Sequence, residues 1–151
     1  MHLVHKEVEQ MSDMNRYCVF CAIIGGQSPV AKVYEDSTFL AFMDKYPITS
    51  GHTLVLPKHH YGDVFQMTPV EVGNMYKVVH TIASAVYSAT GAQGLNTGQN
   101  NGKAANQIIP HVHVHIIPRY DKDSQNGKWP SRKVTNYGEL EELAGKIKKN
   151  L

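Results

Sequence analysis

The chain lacks a long hydrophobic run. Across 151 residues the longest unbroken apolar stretch is Tyr17 to Ile24, with Val19 to Ile24 as its larger part. A bilayer span needs about 20 such residues, so a transmembrane helix is excluded and no membrane partner is expected. The opening residues, MHLVHKEVEQM, hold no apolar core and no small-residue cleavage pattern. No secretory leader is therefore expected, and the location expected is cytoplasmic. A dominant charge is missing too. Fifteen Lys+Arg against thirteen Asp+Glu leave +2, too little to grip nucleic acid electrostatically. Cysteine is scarce, with only Cys18 and Cys21, which excludes a disulfide scaffold. In a cytosolic chain that Cys-x-x-Cys spacing points to metal or redox chemistry.

Histidine is what the chain has in excess, with nine. Otherwise 42% hydrophobic and 19% charged residues describe an ordinary soluble domain. A chain this long can bury roughly 68–70% of its unfolded surface without staples. Residues 1–13 are polar and aperiodic and are expected to be a loose arm, with residues 14–151 as a single domain. No repeat and no domain-separating linker interrupts the sequence.

A short helix is expected over Arg16–Ile24, ending at Gly25-Gly26. Lys32–Glu35, Phe39–Met43 and His52–Pro57 suit strands. Thr68-Pro69-Val70-Glu71 combines a capping residue, proline at the first helical position and a capping-box glutamate. Val72, Met75, Val79, Ile82 and Val86 then recur every three or four residues, and Gly91 ends that helix. Gly94–Thr97 and 111–117 suit two further strands, and Glu139–Lys149 a terminal helix. The order favours an antiparallel α+β domain.

The segment His111-Val112-His113-Val114-His115-Ile116-Ile117 is the most informative stretch. In a strand alternate side chains share a face, so the three imidazoles are expected to line up about 6.6 Å apart, with the aliphatic residues turned to the core. Two chemistries suit such a row. It could hold a catalytic metal with an open position. It could also supply a neutral imidazole nucleophile whose second nitrogen is fixed as N–H by a backbone carbonyl. Spacing does not choose between them.

This segment resembles the His-φ-His-φ-His-φ-φ signature of the histidine triad superfamily, φ being hydrophobic. The resemblance extends over about residues 16–120, through Phe20, Ile23 and Ile24, Leu40–Asp44, Gly51–His60 with its Pro-Lys-x-His ending, Asn96, Gln107 and Ile117–Arg119. It is nearest to the nucleotide-binding branch of small hydrolases. The fold it implies is an antiparallel sheet of about five strands with a long helix, a short N-terminal helix and a C-terminal helix.

The function implied by the resemblance is cleavage at the α-phosphate of purine nucleoside 5′-phosphoramidates through a nucleotidyl-histidine. His113 is then the nucleophile, with His115 and Gln107 beside the phosphate. Asp44 accepts from the ribose, Asn96 contacts the sugar–phosphate, and Phe20, Ile23 and Phe42 flank the purine. Cys18, Cys21, His60 and His111 hold a structural zinc, with His59 as an alternative to His60. A homodimer is implied as well. Dinucleoside polyphosphate hydrolysis and a slow-turnover, nucleotide-binding zinc adaptor are the alternatives. Two positions depart from the pattern. Ile108 stands where many relatives carry Ser or Thr, and Asn106 where they often carry Gly. His52 has no role in this scheme and is expected to face solvent or an interface.

Overall fold

A computed structural model describes residues 17–124 and 128–151. The arm expected over 1–13, and Arg16, lie outside the described residues. Helix α1 (Val19–Ile24) is followed by strands β1 (Lys32–Glu35), β2 (Phe39–Met43) and β3 (Thr53–Pro57). Helix α2 (Pro69–Thr90), strands β4 (Gly94–Gly98) and β5 (Val114–Arg119) and helix α3 (Tyr137–Lys148) complete the order, with 3-10 turns at Val64–Gln66 and Lys103–Ala105. The strands form one sheet, β1-β2-β3-β5-β4, and every neighbouring pair is antiparallel. This is the expected α+β architecture. No helix among the described residues is long and apolar enough to cross a membrane.

The central strands β2 and β3 are buried on both faces, and alternation in β2 shows how. Phe39, Ala41 and Met43 join the main core, packing with Val55, Val114 and Ile116 against Met75, Val79, Ile82 and Val86 of α2 and Leu140 and Ile147 of α3. Leu40 and Phe42 point the other way and meet Leu54, Leu56, Phe20, Ile23, Cys18 and Cys21 beneath α1. Strands covered on both faces read as continuous apolar runs, as FLAFM and TLVLP do.

Helix α2 starts and stops as its sequence implies. Thr68 accepts from the Glu71 N–H at 3.2 Å while Glu71 accepts from the Thr68 N–H at 2.9 Å, and Gly91 ends the helix at φ +67°. The last helix begins two residues earlier than expected, because Asn136 caps it by accepting from the Glu139 N–H at 2.8 Å.

The largest correction is to the histidine segment. The ladder of β5 begins at Val114, so His111 and His113 precede the strand. Regular pairing would continue the Val55–Val114 match toward Pro57. Proline has no N–H to donate, and its carbonyl is taken by the His111 ring at 2.8 Å. The Val112 N–H turns instead to the Tyr61 carbonyl at 2.8 Å.

Gly51 sits between β2 and β3 at φ +99°, where an added Cβ would lie 2.8 Å from Thr90 Cγ2 and 3.0 Å from Pro118 Cγ. Gly26 shares a positive φ but would meet nothing within 4 Å. Gly51→Ala is therefore expected to lower unfolding free energy by more than Gly26→Ala, which pays only the left-handed strain of about 1–2 kcal/mol. Denaturant melts of the two variants check this, and equal losses would remove the steric contribution.

Candidate functional site

His111, His113 and His52 each have one nitrogen committed to a backbone group that can act in only one sense, and this settles their protons. The His111 ring is fully buried, and its Nε2 lies 2.8 Å from the Pro57 carbonyl. A carbonyl only accepts, so Nε2 carries the hydrogen and Nδ1 a lone pair. That lone pair faces His60 Nδ1 at 3.1 Å, Cys18 Sγ at 3.5 Å and Cys21 Sγ at 3.7 Å, and Cys21 Sγ lies 3.3 Å from His60 Nδ1. All four donor atoms lie within 4.8 Å of one another. Cys18 caps α1, its sulfur accepting from the Cys21 N–H at 3.5 Å. Cys21, one turn on, thus points to the same side.

A tetrahedral zinc with bonds of about 2.0–2.1 Å to nitrogen and 2.3 Å to sulfur sets its ligands about 3.3–3.8 Å apart. The donor set fits that ion in chemistry and spacing. Burial lowers the His60 pKa and holds that of His111 to about 4, so both rings offer lone pairs at neutral pH. His59 is not in the group and packs against Tyr61, the ring centroids 4.5 Å apart and the planes tilted at 46°.

The His113 Nδ1 lies 2.7 Å from the His111 carbonyl. The same logic puts the proton on Nδ1 and leaves Nε2 as a bare lone pair. Burial also lowers the His113 pKa. Phe20 meets this ring edge-on, with centroids 5.0 Å apart. Phe20, Ile23 and Phe42 are buried together in the apolar cluster under α1, with Ile24 and Ile109 partly exposed at its margin.

The His115 ring lies 4.9 Å from that of His113, and its Nδ1 is 2.9 Å from His52 Nε2. The Ile48 N–H donates to His52 Nδ1 at 3.0 Å. Neutral His52 therefore carries its proton on Nε2 and donates it to His115 Nδ1, which leaves His115 with an N–H at Nε2. A lone pair and a donor thus stand on adjacent rings. Burial pushes the pKa of His52 down to about 4; burial with His113 and His52 nearby pushes that of His115 to about 3.

His52 is fully buried, against expectation. The alternation of Leu56 and Leu54, carried one step back, lands on it, and Leu54 pairs with His115. That signal was present in the sequence. Asp44, His52 and His115 also lie within 4.8 Å of one another. Neutral His52 has no lone pair to spare there, so this second group does not suit a metal.

Asp44 is held by the Tyr46 N–H at Oδ1, 2.9 Å, and by Arg132 Nη1 at Oδ2, 3.0 Å. No sequence pattern marks Arg132, which reaches the site from the segment before α3. The Gln107 amide holds a loop together: Nε2 donates to the Gly62 carbonyl at 2.7 Å, and Oε1 accepts from the Gly102 N–H at 2.7 Å. Asn96, on β4, accepts from Arg119 Nη1 at 3.0 Å. Asn106 takes φ +62°, so it adopts the left-handed conformation open to glycine. The Ile108 side chain stands in solvent.

The family model for the HIT domain matches residues 25–122. The chain is 43% identical over 114 residues to adenylylsulfatase HINT3 of Arabidopsis thaliana, covering 76% of this chain and 58% of that protein. It is 32% identical over 139 residues to adenosine 5′-monophosphoramidase HNT1 of Candida albicans, covering 89% of this chain and 91% of that one. Among solved structures, a Zn-bound histidine triad family protein from Mycobacterium smegmatis superposes with a TM-score of 0.76 at 37% identity, covering 89% and 92% of the two chains. The chain belongs to the HIT family, whose members include nucleotide hydrolases.

The buried His52 gives a pH prediction. Its folded pKa, about 4, lies below its unfolded value of 6.5. The stability due to neutral His52 is complete above pH 6.5 and is lost as the pH falls from 6.5 toward 4, because the unfolded chain takes up the proton first. His52→Gln keeps an acceptor and a donor without the titration. Over this window wild type should lose stability relative to His52→Gln by up to about 1.4 kcal/mol per pH unit in denaturant melts. Parallel curves would refute it.

Proposed function

We propose that this protein hydrolyses purine nucleoside 5′-phosphoramidates at the α-phosphorus through a nucleotidyl-histidine on His113. The observation that carries the reading is the His113 Nδ1 bond to the His111 carbonyl at 2.7 Å, which leaves Nε2 a buried lone pair. Nε2 attacks phosphorus as the P–N bond breaks, and the nitrogen leaves as neutral amine with a proton taken from solvent, which the attacking water gives back in the next step. Water then attacks the same phosphorus, and the bond to Nε2 breaks with return of the lone pair. The His115 Nε2–H donates to the phosphoryl oxygen as negative charge grows on it. Asp44 accepts from the ribose hydroxyls. Phe20, Ile23 and Phe42 form the apolar wall for the purine. Gln107 shapes the loop beside the phosphate, and Asn96 lies at the sugar–phosphate side of the sheet. The relative named an adenosine 5′-monophosphoramidase supports this substrate class.

A second substrate, adenylyl sulfate, is favoured by one residue. Ile108 supplies no hydroxyl to protonate a departing amine, and sulfate departs without needing a proton. The relative named an adenylylsulfatase is consistent with it.

In this reading Cys18, Cys21, His60 and His111 hold zinc. A four-ligand site has no open position, so the ion supplies cross-linking of α1 to the ends of β3 and β5 and no chemistry. The protein acts as a homodimer, for which β4 offers an exposed sheet edge.

His113→Ala and His113→Asn should each leave less than about a tenth of the AMP release from adenosine 5′-phosphoramidate. Retention above that would put the loss below about 1.4 kcal/mol of barrier and remove the covalent step. Elemental analysis should find about one zinc per chain. Strong chelation should lower the melting temperature, and Cys18→Ala should lose stability while the folded fraction keeps its kcat. Metal-free protein with unchanged melting would make the cysteines packing residues, and activity lost with metal but without unfolding would make the ion catalytic.

A further inference from the structure

Asp44 follows the end of β2 beside the histidine cluster, its side chain only 12% exposed. Each carboxylate oxygen offers two acceptor positions. On Oδ1 one is filled by the Tyr46 N–H, and on Oδ2 one is filled by Arg132 Nη1. His52 Nε2, at 3.5 Å from Oδ2, spends its proton on His115 instead. One acceptor position therefore remains on each oxygen. Two free positions on adjacent oxygens of one fixed carboxylate match a vicinal diol, each hydroxyl donating to one oxygen.

What fixes the carboxylate is a strap from far along the chain. Arg132 Nη1 also donates to the Tyr46 carbonyl at 2.6 Å. The Lys133 N–H donates to the Pro47 carbonyl at 3.0 Å, and the Thr135 hydroxyl to the Lys45 carbonyl at 2.9 Å. Residues 132–135 are thus laced onto the loop that carries Asp44, and the guanidinium joins loop and carboxylate through one nitrogen. Without it, Oδ2 would gain a second free position and the carboxyl group would be held at one oxygen only.

We infer that Arg132 is a positioning residue that orients Asp44 for a ribose and so sets the preference for ribonucleotide over 2′-deoxyribonucleotide substrates. This rests on the reading of Asp44 as the ribose acceptor. An arginine that merely plugged the carboxylate would have the opposite effect, because a nucleotide would have to expel it.

The test is kcat/KM for adenosine 5′-phosphoramidate and its 2′-deoxy counterpart in wild type, Arg132→Ala and Arg132→Lys. Each preference is a ratio within one preparation, so any unfolded fraction cancels. Wild type should favour the ribonucleotide by about tenfold or more, as loss of a hydrogen bond to a charged acceptor implies. Arg132→Ala should fall to within about threefold of no preference, through a raised KM for the ribonucleotide at little-changed kcat. Arg132→Lys should keep most of the preference, since both bonds come from a single nitrogen that an ammonium can replace. An undiminished preference in Arg132→Ala would overturn the inference while leaving Asp44 at the ribose. Tighter ribonucleotide binding in Arg132→Ala would overturn it in favour of the plug. A loss in Arg132→Lys as large as in Arg132→Ala would overturn it too. Wild type without any preference would instead remove Asp44 from the ribose site, and Arg132 with it.

Discussion

A buried imidazole that stays neutral has one N–H and one lone pair, and at this site backbone groups decide which nitrogen holds which. The carbonyls of Pro57 and His111 claim the hydrogens of His111 and His113, and the Ile48 N–H claims a lone pair of His52. Reversing any of these would leave a buried polar group without its partner, at a cost of about 1–3 kcal/mol. By the same scale this biases each tautomer about fivefold to more than a hundredfold. Three adjacent rings thereby acquire three different capacities: on His111 a lone pair facing His60 and two cysteine sulfurs, on His113 a lone pair at Nε2, and on His115 a donor. Residues of one type in one short segment divide the labour because their backbone partners differ.

The rest of the fold supplies those partners. Closing β3 with proline frees a carbonyl for His111 and ends regular pairing, so residues 111–113 bend out of the ladder to meet α1. The Cys18 cap turns both sulfurs toward the lone pair that results. Burial then suppresses protonation, and all four of these site imidazoles have pKa values below the ordinary 6.5.

Much of this was legible in the sequence, and the remainder was hidden for identifiable reasons. Short apolar, β-prone runs gave β2 and β3, and a period-3.6 face with its caps gave α2, each within a residue or two, because local burial and capping dictate those elements. The Cys18, Cys21, His60 and His111 group follows from the family resemblance, and the structure brings the four together. The start of β5 was misplaced because the alternation of 111–117 cannot report that Pro57, 54 residues away, withdraws from the ladder. The expectation that His52 faces solvent or an interface fails because it continues the alternation of Leu54 and Leu56 onto a buried face. Arg132 left no signal at all. Its partner lies 88 residues earlier, and no periodicity marks a strap without regular structure. The Gln107 and Asn96 amides are likewise satisfied by nonlocal partners.

The central claim is that a fixed tautomer makes His113 Nε2 a nucleophile, and the covalent adduct tests it most directly. Wild-type protein mixed with excess adenosine 5′-phosphoramidate, quenched in alkaline denaturant within a turnover, should show by intact mass a fraction of chains heavier by one adenylyl group. Peptide mapping should place that group on His113, and His113→Asn should show none. An adduct on another residue, or AMP release on the same timescale with no adducted chain at any quench time, would contradict the account.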